Sequence, residues 1–172
     1  MIRPAAAGTD AWTAETWLLR SALDAGKAAR DWHVGGGIAL LRCGVEFAAV
    51  RMAAALVRAA ADSSDLDTAA AYLRGALHGP VFVDLYPCRY YALVPPGTEP
   101  RAEWGRSRQL VELLGSETFL GVPRVEQTRP DGVRCYWCVP VDGSGALCSV
   151  SGLDQLVARG RGRMPIREVT GE

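Results

Sequence analysis

Strand-forming runs arrive in adjacent pairs along this chain, and that pairing restricts its fold more than any other feature. Val81 to Leu85 and Arg89 to Val94 flank the turn residues Tyr86-Pro87-Cys88. Thr118 to Val122 and Val133 to Val139 flank Pro130-Asp131-Gly132, and Ile38 to Arg42 and Val45 to Met52 flank Cys43-Gly44. Turn residues between apolar runs set consecutive strands side by side in opposite directions. A regular parallel series would need a long crossover after every strand. The pairing therefore predicts an α+β fold, with a mixed, largely antiparallel sheet packed against helices in a single domain.

The helices follow from spacing and punctuation. Asp10 is placed to cap a helix carrying Trp12, Leu19, Ala22 and Leu23, with Gly26 ending it. Ala53 to Ala61 is helical by its alanines, and Leu66, Ala69, Leu73, Ala76 and Leu77 recur at helical spacing until Gly79-Pro80. Arg106 to Leu114 reads as a short helix, and Ser151 as the cap of a last one, Leu153 to Arg159. The domain then spans 11–160, between a loose arm of small residues at 1–10 and a glycine- and arginine-rich tail at 161–172.

Charge narrows the function. Nineteen basic residues offset nineteen acidic ones, so no global field draws the chain to nucleic acid or anionic lipid. All the basic residues but Lys27 are arginine, a side chain suited to bidentate anion contacts but also what a GC-rich genome supplies. Arg42, Glu46, Arg51 and Arg58 interrupt the most apolar stretch, Ile38 to Ala61, which reads as core and not membrane span. No leader is evident, and five widely spread cysteines fit reduced thiols, so the expected location is cytoplasmic.

No short motif is complete. His33-Val34-Gly35-Gly36-Gly37 is similar to an oxyanion-hole loop, but no Gly-x-Ser-x-Gly accompanies it. A phosphate-cradling loop needs a strand before and a helix after, the reverse of the order here, so the run reads as a flexible lead into a core strand. Cys135-Tyr136-Trp137-Cys138 is half a zinc knuckle, and on a strand its two thiols point to opposite faces. No zinc, magnesium or other cofactor is expected. His78 falls at a helix C-terminus, where a cation suits the dipole. A Cys43–His33 nucleophile pair has nothing local behind it. Asp84 alternates with Phe82 and stands at a strand end, where a carboxylate more often bonds turn amides than acts in catalysis. Arg89, Tyr90, Tyr91, Tyr136 and Trp137 put arginine and aromatic rings on strands, a composition that suits base stacking and ordinary sheets alike.

Longer runs carry a resemblance: Trp32 to Leu41, Phe47 to Met52, Gly79-Pro80-Val81, Arg89 to Thr98, Thr118 to Pro123, and Tyr136-Trp137 followed by Val139-Pro140. Over roughly residues 32–160 the chain resembles a group of small uncharacterised actinomycete proteins. That group is distantly similar to the amino-terminal domain of bifunctional DNA primase–polymerases. The resemblance implies an RRM-like core and a metal-dependent nucleotidyl transfer site. The family's Asp-x-Asp strand would fall at Ala49-Val50-Arg51-Met52, which has no carboxylate. Its Ser-x-His strand would fall near Arg89-Tyr90-Tyr91, and its later aspartate near Gly115-Ser116-Glu117, where only Glu117 is acidic. Two-metal chemistry needs converging carboxylates. The expectation is a non-catalytic module that binds a nucleotide, a nucleic acid or a regulatory partner, through Arg42, Arg51, Arg89 and Tyr91. The alternative is a protein-interaction or self-associating adaptor, with no membrane role in either case. An enzyme using Cys43 or Asp84 is the third reading.

Overall fold

Alternation of side chains along the strands decides the architecture. The computed structural model describes residues 14–143 and 145–165. The main sheet has five strands: β2 (Ala48–Ala53), β3 (Val81–Leu85), β4 (Cys88–Val94), β5 (Val111–Leu114) and β7 (Cys135–Val139), in the order β5-β2-β4-β3-β7. Two further strands, β1 (Ile38–Arg42) and β6 (Phe119–Pro123), form a separate two-stranded sheet. Every pairing in both sheets is antiparallel. The expected α+β fold is the one observed, without the parallel pairs of a mixed sheet.

One face of the main sheet presents Val50, Met52, Val83, Tyr90 and Ala92. These pack under α3 (Ala54–Ala61), α4 (Leu66–Leu77) and α5 (Val150–Arg163) in one apolar core. The opposite face presents Ala49, Phe82, Leu93 and Trp137 to β1 and β6, together with a helical segment over residues 14–19, α1, and with α2 (Ala25–His33). Two indoles fasten that second layer. Trp32 Nε1 donates to the Val122 carbonyl at 2.9 Å, and Trp137 Nε1 donates to the Pro123 carbonyl at 3.1 Å.

The structure departs from the sequence expectations in five places. The strands flanking Pro130-Asp131-Gly132 do not pair with each other: β6 pairs with β1, while β7, buried at every position, joins β3 in the main sheet between the two cores. Gly26 does not end a helix. It lies inside α2, because Asp24 caps a new helix by accepting from the Lys27 amide at 3.0 Å; the Asp10 cap lies outside the described residues. The hairpin around Cys43-Gly44 does not form. β1 pairs with β6, while β2, buried on both faces, takes an interior place in the other sheet between β5 and β4, and Gly44 (φ +91°) turns the chain between them. The helix at Arg106 to Leu114 is instead a 3-10 turn, Trp104–Arg106, followed by β5, whose Glu112 sits opposite Arg51. The tail begins later than expected. α5 is capped by Ser149, not Ser151, and runs to Arg163, with the Arg159 guanidinium bonded to the Ala60 carbonyl at 2.9 Å. The arm at 1–10 and residues 166–172 of the tail lie outside the described residues.

Cys135 and Cys138 do face opposite sides of the sheet, one in each core. All five thiols are free. Burial pushes Cys43 up to about 11, and Cys135, Cys138 and Cys148 up to about 12. At pH 8 such thiols are ionised only to about one part in 10³ for Cys43 and about one part in 10⁴ for the other three, and the thiolate is the reactive form. A thiol reagent added to the native protein at pH 8 is therefore expected to modify the half-buried Cys88 first. The other four should react only on unfolding in urea; rapid reaction of several thiols in the native state would contradict this. The same shifts set a pH trend. Unfolded thiols ionise near about 8.5, so the stability these groups contribute is complete below that pH. It falls as pH rises toward the folded values.

Candidate functional site

Registry across the main sheet places a polar patch where the second layer ends. On the layer-facing side, Ala49, Leu93 and Leu114 form a covered apolar row. The next row runs Glu112, Arg51, Tyr91, Phe82 and Trp137 across all five strands. The row beyond runs Ala53, Arg89, Asp84 and Cys135. Alternation alone puts these residues on one face, and in the last row Ala53, Arg89 and Asp84 are only partly buried, whereas Cys135 is buried.

Three of the four anticipated residues meet here. Arg51 and Tyr91 are direct cross-strand partners, and Arg89 stands two residues from Tyr91 on the same face. Arg51 forms an ion pair with Glu112, both about a quarter exposed (26 % and 28 %), so it is anchored without being sealed. The Tyr91 ring stacks on Phe82, with centroids 4.8 Å apart and planes within 13°. Phe82 in turn meets Trp137 edge-on at 5.2 Å. Tyr91 is thus the outermost ring of a rigid aromatic row. Burial raises its hydroxyl pKa, opposed by the nearby Arg51. Arg89 has no hydrogen-bond or ion-pair partner among the described residues.

Arg42 does not join them. It ends β1 opposite Phe119 in the smaller sheet, beside the turn whose Gly44 amide bonds Phe47. Arg51 lies nine residues further along the chain, in β2 of the main sheet. The sequence placed Arg42 and Arg51 on successive strands of one sheet, and the crossing between sheets at Gly44 separates them.

Asp84 is occupied structurally. It accepts Arg134 Nε at 2.7 Å and Nη2 at 3.1 Å, and the Tyr86 amide at 3.0 Å. That is the turn-bonding role the sequence favours for it. The hydrogen bond to Asp84 raises the Arg134 pKa. Glu117 follows β5 at the covered end, so it does not converge with Asp84; Glu112 is the acid that faces Arg51. Glu112, Arg134 and Phe82 are site residues that sequence reasoning missed. Glu112 lay in a segment read as helical, and the importance of the other two depends on cross-strand register.

His33 bonds Glu15 at 2.6 Å and Cys43 is buried, so the Cys43–His33 pair has no support. His78 does cap a helix C-terminus, that of α4. Among the described residues no group of three or more His, Cys, Asp or Glu is placed to hold a metal ion. No helix among them is long and apolar enough to cross a membrane. The chain matches no family model, no curated protein and no solved structure.

Proposed function

We propose that the protein is a non-catalytic module that binds a nucleotide or single-stranded nucleic acid on the open end of its main sheet. The observation that carries this reading is the convergence of Arg51, Arg89 and Tyr91 on the adjacent interior strands β2 and β4, with Tyr91 backed by Phe82. A ring fixed by stacking offers its outer face to a base, and an unpaired arginine beside it suits a phosphate. The order β5-β2-β4-β3, with helices between β2 and β3, is that of an RRM-like sheet, which stacks bases on its central strands. It supports descent from a primase–polymerase-like ancestor, with Ala49-Val50-Arg51-Met52 and Arg89-Tyr90-Tyr91 standing where that family carries its Asp-x-Asp and Ser-x-His residues.

Single-stranded oligonucleotides should bind at low salt and weaken as salt rises, because arginine–phosphate contacts release counterions. Tyr91→Ala should weaken binding by about 1–3 kcal/mol, the usual value for one base–aromatic stack. Arg89→Gln should reduce both affinity and its salt dependence, while Arg42→Gln should change neither. Equal loss from Arg42→Gln and Arg89→Gln would reject the site.

A second reading has one observation behind it. Ile38, Leu40 and Phe119 are 40 %, 63 % and 48 % exposed on the smaller sheet, which is only two strands wide. Edges and an apolar face of this kind suit pairing with a second copy. Sedimentation over a range of concentrations decides it: a strict monomer at high concentration removes the self-association reading.

A further inference from the structure

The glycine run before β1 has no role in the sheet-face site, yet it borders a cavity of about 390 Å³ next to that site. The volume falls within the range of small-molecule sites, ~300–1,000 Å³. Trp32, Ile38 and Val133 give it apolar wall, while Arg124 and Arg134 bring cationic side chains. Among the described residues no aspartate or glutamate lines it. His33 also borders it but is held by Glu15. Arg124 makes no ion pair among the described residues. Its amide is tied to the Gly37 carbonyl at 3.0 Å, which fixes its backbone against the glycine run. Arg134 gives Nε and Nη2 to Asp84 and Tyr86, which leaves Nη1.

Gly36 is the informative position. Gly37 needs glycine for its backbone (φ +79°), and a side chain at Gly35 would press on the Asp31 carbonyl. Gly36 has neither constraint: an added Cβ would meet nothing within 4 Å. The Gly35 and Gly37 amides are committed to Arg30 and Asp31, whereas no backbone acceptor takes the Gly36 amide. The fold does not require this residue to be bare, and its bareness leaves the cavity open with a free N–H at the rim.

We infer that this cavity is an anion pocket for the phosphate of a nucleotide or oligonucleotide, contacted by Arg124, the free edge of Arg134 and the Gly36 amide. This rests on the proposed binding role of the sheet face. The link between the two is Asp84, which holds Arg134 on one side and stands opposite Arg89 on the other. A ligand with its phosphate in the cavity would extend along the row Cys135–Asp84–Arg89 toward Tyr91. The sequence motif runs helix, glycines, strand, so the phosphate would sit against two arginines and one amide and not on a helix N-terminus.

The test is calorimetric titration of the full chain with inorganic phosphate, a nucleoside, its 5′-monophosphate and a 5′-phosphorylated oligothymidine. The monophosphate should bind more tightly than the nucleoside, and Arg124→Gln and Gly36→Leu should each abolish that advantage, by about tenfold or more. Gly36→Leu faces open space, so its unfolding midpoint should match the parent protein, which separates blockage from misfolding. If inorganic phosphate competes but the oligonucleotide does not bind, the pocket serves a small phosphorylated ligand and the sheet-face reading fails while the pocket stands. If the oligonucleotide binds and depends on Arg89 and Tyr91 but not on Arg124 or Gly36, the pocket is overturned and the sheet-face reading survives. Failure of all four ligands at low salt overturns both.

Discussion

Trp137→Ala is expected to lower the stability of the protein by about 3–5 kcal/mol, the usual cost of removing a large buried aromatic ring. The ring is fully buried and touches both layers of the molecule. It packs edge-on against Phe82 at 5.2 Å, and its indole N–H is the bond that holds β6 at Pro123. Deletion leaves a cavity between the sheet and its second layer and an unpaired carbonyl inside it. Urea unfolding followed by circular dichroism measures the loss as a fall in midpoint. Trp137→Phe keeps most of the volume and loses only the hydrogen bond, so it should cost clearly less. A Trp137→Ala loss below about 1 kcal/mol would mean that the two layers are not joined there. Because Phe82 is also the platform under Tyr91, the same variant should loosen the proposed base-stacking ring.

The second large effect reverses the ordinary helix ranking. Gly→Ala inside a helix gains about 1 kcal/mol by propensity alone. At Gly152 in α5, however, an added Cβ would lie well inside van der Waals contact with the Ala76 carbonyl oxygen of α4. That neighbour is backbone and cannot swing aside. Overpacking of this kind costs typically 1–3 kcal/mol, enough to cancel the gain and change the sign. Gly152→Ala should therefore destabilise, and Gly152→Val should do so more strongly. Gly75, in α4 and exposed, has nothing within 4 Å of an added Cβ. Gly75→Ala should raise the unfolding midpoint. Stabilisation by both substitutions would show that α4 and α5 do not approach as closely as their glycines allow.

The two outcomes mark the limit of sequence reading for this chain. Gly75 and Gly152 are alike in one dimension; only the approach of α4 to α5 separates them. Strand pairing within β3–β4 was legible, because its turn residues lie in one short stretch between two apolar runs. The partition into two sheets was not, because β1 and β6 are about eighty residues apart and nothing local links Ile38 to Pro123. Burial on both faces of β2 and on one face of β1 left different patterns, yet both runs read simply as strand. At the site, Arg51, Arg89 and Tyr91 were legible as arginine and aromatic on strands. Their meeting, and the arrival of Glu112, Asp84 and Arg134 beside them, is a property of register. The buried cysteines were read correctly because period-two alternation alone separates Cys135 from Cys138.

One consequence of the helix arrangement concerns time and not geometry. Between β4 and β5 the chain makes only a 3-10 turn, and the place beside α3 on that side of the sheet is filled by α5, with Gly160 against Leu56 and Arg159 on the Ala60 carbonyl. Contacts that a local helix would make early are thus made across about a hundred residues. Long-range closure of this kind slows folding, and segments that wait for a distant partner are exposed to misassembly. During synthesis α3 must stand with its flank uncovered until residues 150–163 leave the ribosome. The interval before that is when a chaperone, or a neighbouring nascent chain, has its best access to this protein.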